Sequence, residues 1–246
     1  MGSIIEVFPR GGRRGLAWRS VPLPGTGRVR VRQARLEDYA AIRALQREAT
    51  PLLAGSTLKH LDSQLQAFPE GQLVAVGADR IAGAASSLIV PWEDHAEDQS
   101  WRQVTAEGSF ATHDPRASTL LCAELLASDG RGLDVARSLY RTLRRLARKL
   151  NLRRIVAASR MPGYHAVREE MPPELYAERV IWGTASDAAL KVPLADGFQY
   201  CGVVRDYLPE DAESGGHAAL LVWLNPAYSP TEPPADLEAV RPRKCA

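Results

Sequence analysis

The chain has 246 residues, 45% hydrophobic and 24% charged, and its 31 basic and 29 acidic side chains leave a formal charge of only +2. That length buries one large or two small cores, the charge balance excludes a chain built as a whole to bind polyanions, and no stretch approaches the roughly 18 uninterrupted apolar residues of a membrane span. Cys122, Cys201 and Cys245 are odd in number and widely spaced, with no Cys-x-x-Cys pair, which argues against a disulfide framework or structural zinc and, with no leader-like start, leads us to expect a cytoplasmic protein.

Residues 1–28 carry Arg10, Arg13, Arg14, Arg19 and Arg28 against Glu6 alone, in turn-rich RGGRRG and PLPGTG, and read as a basic N-terminal arm. A regular domain over residues 29–226 follows. Val29 and Val31 alternate as a strand, and Leu36, Tyr39, Ile42 and Leu45 recur at helical spacing. Ser56 or Thr57 caps a second helix carrying Leu58, Leu61, Leu65 and Phe68, which Pro69 and Gly71 end. LVAV, GADR and IAGAASSLIV read as strand, turn and strand. Residues 90–118 are polar and predict a long loop or broken hairpin at the sheet edge. There Trp92 and Trp101 bracket Glu93, Asp94, Glu97 and Asp98, which could draw in a cationic amine, a solvated loop with two anchoring aromatics explaining them as well, and His113 would order the loop.

The segment TLLCAELLA predicts a strand with Leu121, Ala123, Leu125 and Ala127 on one face and Leu120, Cys122, Glu124 and Leu126 on the other. Next, Leu139, Leu143, Leu146 and Leu150 form a helical stripe opposite Arg137, Arg141, Arg144, Arg145 and Arg148. The strand RRIVAAS completes a βαβ crossover, so the fold class is α/β with a parallel or mixed sheet. A polar stretch at 161–183, a short helix near Asp187 to Leu194, a turn at Asp196-Gly197, a strand around Cys201 to Tyr207 and a last strand HAALLVWL close the domain. The Pro-rich tail at 227–246 reads as disordered or wrapping; it and the last strand are natural places for a homodimer contact.

A helix whose first turn contains Gly presents unpaired amides and the positive end of its dipole, which suits phosphate oxygens, and Arg131 and Arg137 add charge there. A glycine-assisted strand-to-helix turn explains the same spacing. His60, His95, His113, His165 and His217 show no HxH or HxxxH spacing, so no metal is expected. No aromatic-interleaved basic strand or reader motif supports nucleic-acid binding.

The order of elements, the segment ASDGRGLDVARSLY and the later LADGFQYCGVVRDYL resemble the Gcn5-related N-acetyltransferases. A narrower resemblance, carried by RRIVAASRMPGYHA, DYLPEDAESGGHAALLVWLNP and THDP, is to the acetyltransferase modules that bacteria often fuse to a carbon–nitrogen (nitrilase-type) hydrolase; that resemblance implies a stand-alone version, for which a separate partner could supply the hydrolase. The resemblance implies an acyl-CoA N-acyltransferase fold, with a mixed central sheet and helices on both faces. It also implies transfer of an acetyl group from acetyl-CoA to a primary amine of a small molecule or peptide. By the same resemblance, Leu125, Leu126 and Ala127 would offer main-chain groups to pantetheine, and Arg131, Gly132, Val135, Ala136 and Arg137 would surround the pyrophosphate. Asp134 stands where the family signature has Gly.

The amine must lose a proton to attack a thioester, and Glu124 is the candidate base, an edge glutamate in solvent or a salt bridge being the alternative. Val192 and Pro193 occupy the place where relatives often carry the tyrosine that protonates the departing thiolate. Tyr164 and Tyr200 are the candidate substitutes. Asp134 and that absent tyrosine keep a second reading open: a degenerate module of the same fold, binding acyl-CoA weakly or not at all and acting in regulation or protein interaction.

Overall fold

The computed structural model describes residues 29–50, 53, 55–77, 80–92, 99–128 and 132–232. The expected arm at 1–28, residues 233–246 of the expected tail, the acidic stretch at 93–98 and Arg131 lie outside the described residues. Seven strands, β1 (Arg30–Gln33), β2 (Gln72–Gly77), β3 (Arg80–Val90), β4 (Thr119–Ala127), β5 (Arg154–Ser159), β6 (Gln199–Val204) and β7 (Ala218–Leu224), form one sheet in the order β1-β2-β3-β4-β5-β7-β6. The β4–β5 pair is parallel and the other neighbours are antiparallel, so the sheet is mixed.

Among the described residues six α-helices accompany it: α1 (Tyr39–Ala49), α2 (Leu58–Ala67), α3 (Trp101–Thr105), α4 (Gly132–Lys149), α5 (Pro173–Ile181) and α6 (Ala188–Ala195). The largest core cluster joins one sheet face to α4, α5 and α6 through Leu139, Leu143, Leu146, Tyr176 and Leu190. Two smaller clusters join the other face to α1, α2 and α3 through Ile42, Leu45, Leu61 and Val104. Helices therefore cover both faces, as the amphipathic stripes require.

Four details differ from the reading of the sequence. The 90–118 segment holds α3, started by a reciprocal cap in which Ser100 Oγ accepts from Gln103 N and Gln103 Oε1 accepts from Ser100 N. It joins β3 to β4 at the middle of the sheet, not at its edge. Within 161–183 lies α5, whose Pro173 occupies the first turn, where a missing amide costs nothing, and which buries Tyr176, Ala177 and Val180. β6 stops at Val204 because Asp206 turns the chain with φ +52°.

The fourth difference bears on the site. The β3–β4 register runs Ser87↔Cys122 and then Ser86↔Glu124, so Ala123 is an extra, bulged residue. Strict alternation therefore breaks within β4. Leu120, Cys122, Leu125 and Ala127 belong to the α4 side, whereas Leu121, Ala123 and Leu126 pack on the α1–α3 side, where Glu124 meets α1.

The start of α4 is held down by Gly83 of β3. A Cβ there would lie 2.3 Å from Val135 Cγ1 and 2.8 Å from the Leu126 carbonyl oxygen, so only glycine lets the helix close on the sheet. Gly83→Ala should cost about 1 to 3 kcal/mol through overpacking. A denaturation midpoint equal to wild type would show that the helix seat yields freely.

Candidate functional site

Parallel pairing of β4 with β5 covers Thr119↔Arg154 to Cys122↔Ala157 and stops there, although β4 runs on to Ala127 and β5 to Ser159. Ala158 and Ser159 continue to pair on their other side, with Leu220 and Ala219 of β7, and β4 continues to pair with β3. The ladder thus opens in mid-sheet and leaves backbone groups of 123–127 without a strand partner on the β5 side. Peptide groups so placed need a partner. Part of that need is met by Trp101, whose indole Nε1 donates to the Ala123 carbonyl at 3.0 Å.

Glu124 sits just beyond the opening. It is half-buried on a central strand, which excludes the solvent-edge alternative. Gln46 Nε2 of α1 donates to both Glu124 oxygens at 3.0 Å, and Gln46 Oε1 accepts from Arg43 Nη1 at 3.1 Å and from the Ser56 amide at 3.1 Å. Burial pushes the Glu124 carboxyl above its ordinary range, and the Gln46 hydrogen bonds and the Arg43 charge oppose that only in part. Burial and a fixed hydrogen-bond partner of this kind favour proton uptake by a carboxylate more than solvent exposure would. Gln46 is 3% exposed, and its signal in the sequence was a polar residue next to the Ile42–Leu45 stripe of α1.

The first turn of α4 follows the opening. A Cβ on Gly132 would lie 3.8 Å from Ala127 Cβ, so the helix start adjoins the end of β4. Leu125 and Ala127 are partly buried against the α4-side core, and Leu126 is buried on the opposite side. Val135 and Ala136 are buried, while Gly132, Asp134 and Arg137 are half-buried. Asp134 makes no ion pair with Arg137, and its carbonyl accepts from Ser138 Oγ at 2.9 Å.

Tyr164 is buried, packs on Tyr176 and His217, and donates from its hydroxyl to the Met171 carbonyl at 3.1 Å. Tyr200 is half-buried on the edge strand β6, where burial, with Glu178 and Glu174 nearby, pushes its hydroxyl up to about 12. No hydrogen bond joins either tyrosine to Glu124. His113 stacks on Phe68 with ring centroids 4.8 Å apart, and its Nδ1 accepts from the Ile89 amide, which ties the β3–β4 connection to β3. Tyr140, absent from the reading of the sequence because it lies on the buried stripe of α4, packs against Phe198 with its hydroxyl beside Ser159.

No protein-family model matches the chain. The uncharacterized N-acetyltransferase YkwB of Bacillus subtilis (strain 168) is 34% identical over 169 residues, covering 68% of this chain and 74% of that protein. The probable hydrolase YhcX of the same organism is 31% identical over 203 residues, which are 82% of this chain but 40% of that protein, so the chain spans under half the length of this relative. Among solved structures, the GphF GNAT-like decarboxylase in complex with isobutyryl-CoA superposes with a TM-score of 0.65 at 23% identity, over 79% of this chain and 98% of that one, a likeness of fold.

The environment of Glu124 sets a pH dependence. Its folded pKa is raised, so its contribution to stability is full below the ordinary carboxylate range and is lost as pH rises through the raised value. Glu124→Gln should therefore melt higher than wild type at pH 7 and show little or no gain at pH 4. An equal gain at both pH values would mean that the carboxyl titrates alike in the folded and unfolded chain.

Proposed function

The chain belongs to the Gcn5-related N-acetyltransferase family, and on that premise we propose that it moves an acetyl group from acetyl-CoA to a primary amine of a small molecule or peptide. The observation that supports this most is the opening of the β4–β5 ladder at Cys122 and Ala157, directly followed by the N-terminus of α4. A pantetheine arm carries two amides and needs backbone partners of the kind that Leu125, Leu126 and Ala127 can offer there. A pyrophosphate needs amide donors and positive charge: the start of α4 at Gly132 presents unpaired amides, Val135 and Ala136 would line the site behind them, and Arg131 and Arg137 would add charge. Asp134 is the residue in that turn whose charge opposes the phosphates.

In this reading Glu124 takes the amine proton, directly or through one water, while Gln46 fixes the direction in which the carboxylate points. The amine nitrogen bonds to the acyl carbon, the carbon–sulfur bond breaks, and CoA leaves as a thiolate that must acquire a proton. Of the two candidate donors we retain Tyr200, since the Tyr164 hydroxyl already donates a hydrogen bond to the Met171 carbonyl. The raised Tyr200 hydroxyl stays protonated throughout the working pH range.

Acetyl-CoA at 100 times its dissociation constant should stabilise the protein by about 2.7 kcal/mol, visible as a higher melting temperature. No shift with acetyl-CoA would favour the degenerate module over the enzyme. With an amine found by screening, Glu124→Gln should lower turnover ~100-fold at neutral pH and less at high pH, where the amine is already neutral. A variant with the wild-type pH–rate profile would remove Glu124 from the reaction, and CoA release without acetylated amine would point to a different fate for the acyl group.

A further inference from the structure

Tyr207, in the turn that follows β6, is 4% exposed, and its hydroxyl oxygen is buried without a hydrogen-bond partner. Its neighbours are apolar: Leu88, Trp92, Val104, Leu121 and Val156 belong to the same cluster. A phenol enclosed in this way bears the desolvation cost of an unmade hydrogen bond, a cost that Tyr207→Phe would remove without loss of packing. Tyr164 and Tyr176, buried elsewhere, each have a partner, Met171 O at 3.1 Å and Asp187 Oδ2 at 2.9 Å. An open donor of this kind is a place for a ligand oxygen.

Its position says which oxygen. The main chain of Tyr207 is tied to the site by α3: the Trp101 amide donates to the Tyr207 carbonyl at 2.7 Å, and the Trp101 indole donates to the Ala123 carbonyl at 3.0 Å. Ala123 is the bulged residue at which β4 leaves β5. Leu121 and Val156 are strand residues of the last paired stretch before the opening, and both pack in the cluster that holds Tyr207. Burial, and secondarily the thiol of Cys122, the last paired residue of β4, raise the Tyr207 hydroxyl above its ordinary range. It therefore remains a donor at every working pH and gives up no proton. Tyr140 reaches the same opening from the α4 side, with Ser159 beside its hydroxyl, so of these two phenols it is Tyr207 that is left without a partner.

We propose that Tyr207 Oη donates a hydrogen bond to the carbonyl oxygen of a bound acyl thioester and stabilises the negative charge that develops there when the amine attacks. The inference rests on the acyl-CoA reading above and adds the group that polarises the bond to be broken. No proton is transferred by Tyr207; the amine proton goes to Glu124, and the electron pair of the broken carbon–sulfur bond leaves with sulfur. A fixed donor in apolar surroundings needs no reorganisation at the moment of reaction, which is where such groups act most strongly.

Two probes test this without a known acceptor: acetyl-CoA, and S-ethyl-CoA, which has the same chain but a methylene in place of the carbonyl. By calorimetry the wild type should prefer acetyl-CoA about 3- to 10-fold, the size of one net hydrogen bond, and Tyr207→Phe should lose that preference while binding S-ethyl-CoA as before. The unliganded variant should melt at or above the wild-type temperature. A wild type that binds both probes equally, or a Phe variant that keeps the preference, overturns the assignment. A wild type that binds neither overturns the acyl-CoA reading itself. Once an acceptor is in hand, Tyr207→Phe should lower kcat on the order of 100-fold with KM little changed; a rise in KM alone would assign Tyr207 to binding only.

Discussion

Backbone amides and carbonyls removed from water must find partners, and between β4 and β5 the sheet stops supplying them after Cys122 and Ala157. Much of the surrounding structure can be understood as a response to that interruption. The bulge at Ala123 falls at the same point and puts Glu124 on the α1 side of β4. The Trp101 indole occupies one of the vacated acceptor positions. The peptide groups left without a strand partner in mid-sheet are the feature on which the proposed pantetheine contacts rest.

The elements around the slot are fixed by close packing and by a few buried ion pairs. Gly83 lets the first turn of α4 rest on β3, and Arg144 at the other half of that helix pairs with Asp196 at 3.0 Å while lying over the Trp223 ring. Beyond β5, Arg160 makes two 2.6 Å contacts to the buried Asp211, which also accepts from Ser214, so the end of β5 is bound to the segment before β7. Burial alone would raise the Asp211 carboxyl, but Arg160 and Ser214 hold it below its ordinary range. Such pairs repay little beyond their own desolvation, and what they contribute is position: they set where β5 ends relative to β7.

Three titratable side chains at the opening, two on β4 and one in the turn after β6, are biased the same way by burial. Glu124, Tyr207 and Cys122 all have their protonated forms favoured, the Cys122 thiol to about 12 with burial as the first cause and the Glu124 charge as the second. For a carboxyl this bias favours uptake of a proton; for a phenol it preserves the hydroxyl as a donor. For the thiol it means that Cys122 stays a packed, unreactive sulfur beside the site. Burial on the two faces of the sheet thus yields three different chemical characters because the three groups start from different intrinsic pKa values.

The sequence by itself determined the order of the strands and of helices α1, α2, α4 and α6, because hydrophobic period depends on local geometry: the apolar run TLLCAELLA, the Leu139–Leu150 stripe of α4 and the Asp196-Gly197 turn each lie within a short segment. It also located the strand, turn and helix at 119–150 and singled out Glu124 as the polar residue on an apolar strand. Only the tertiary structure decided what Glu124 faces, since one extra residue in the register exchanges the faces of β4 and no local pattern marks Ala123 as that residue. The partner Gln46 lies 78 positions away in the chain, and Tyr207 reaches the opening through a turn beyond β6, so both depend on contacts between distant segments. Helices α3 and α5 escaped for a related reason: each is short, and its seat against the sheet supplies the stability that its own few turns cannot.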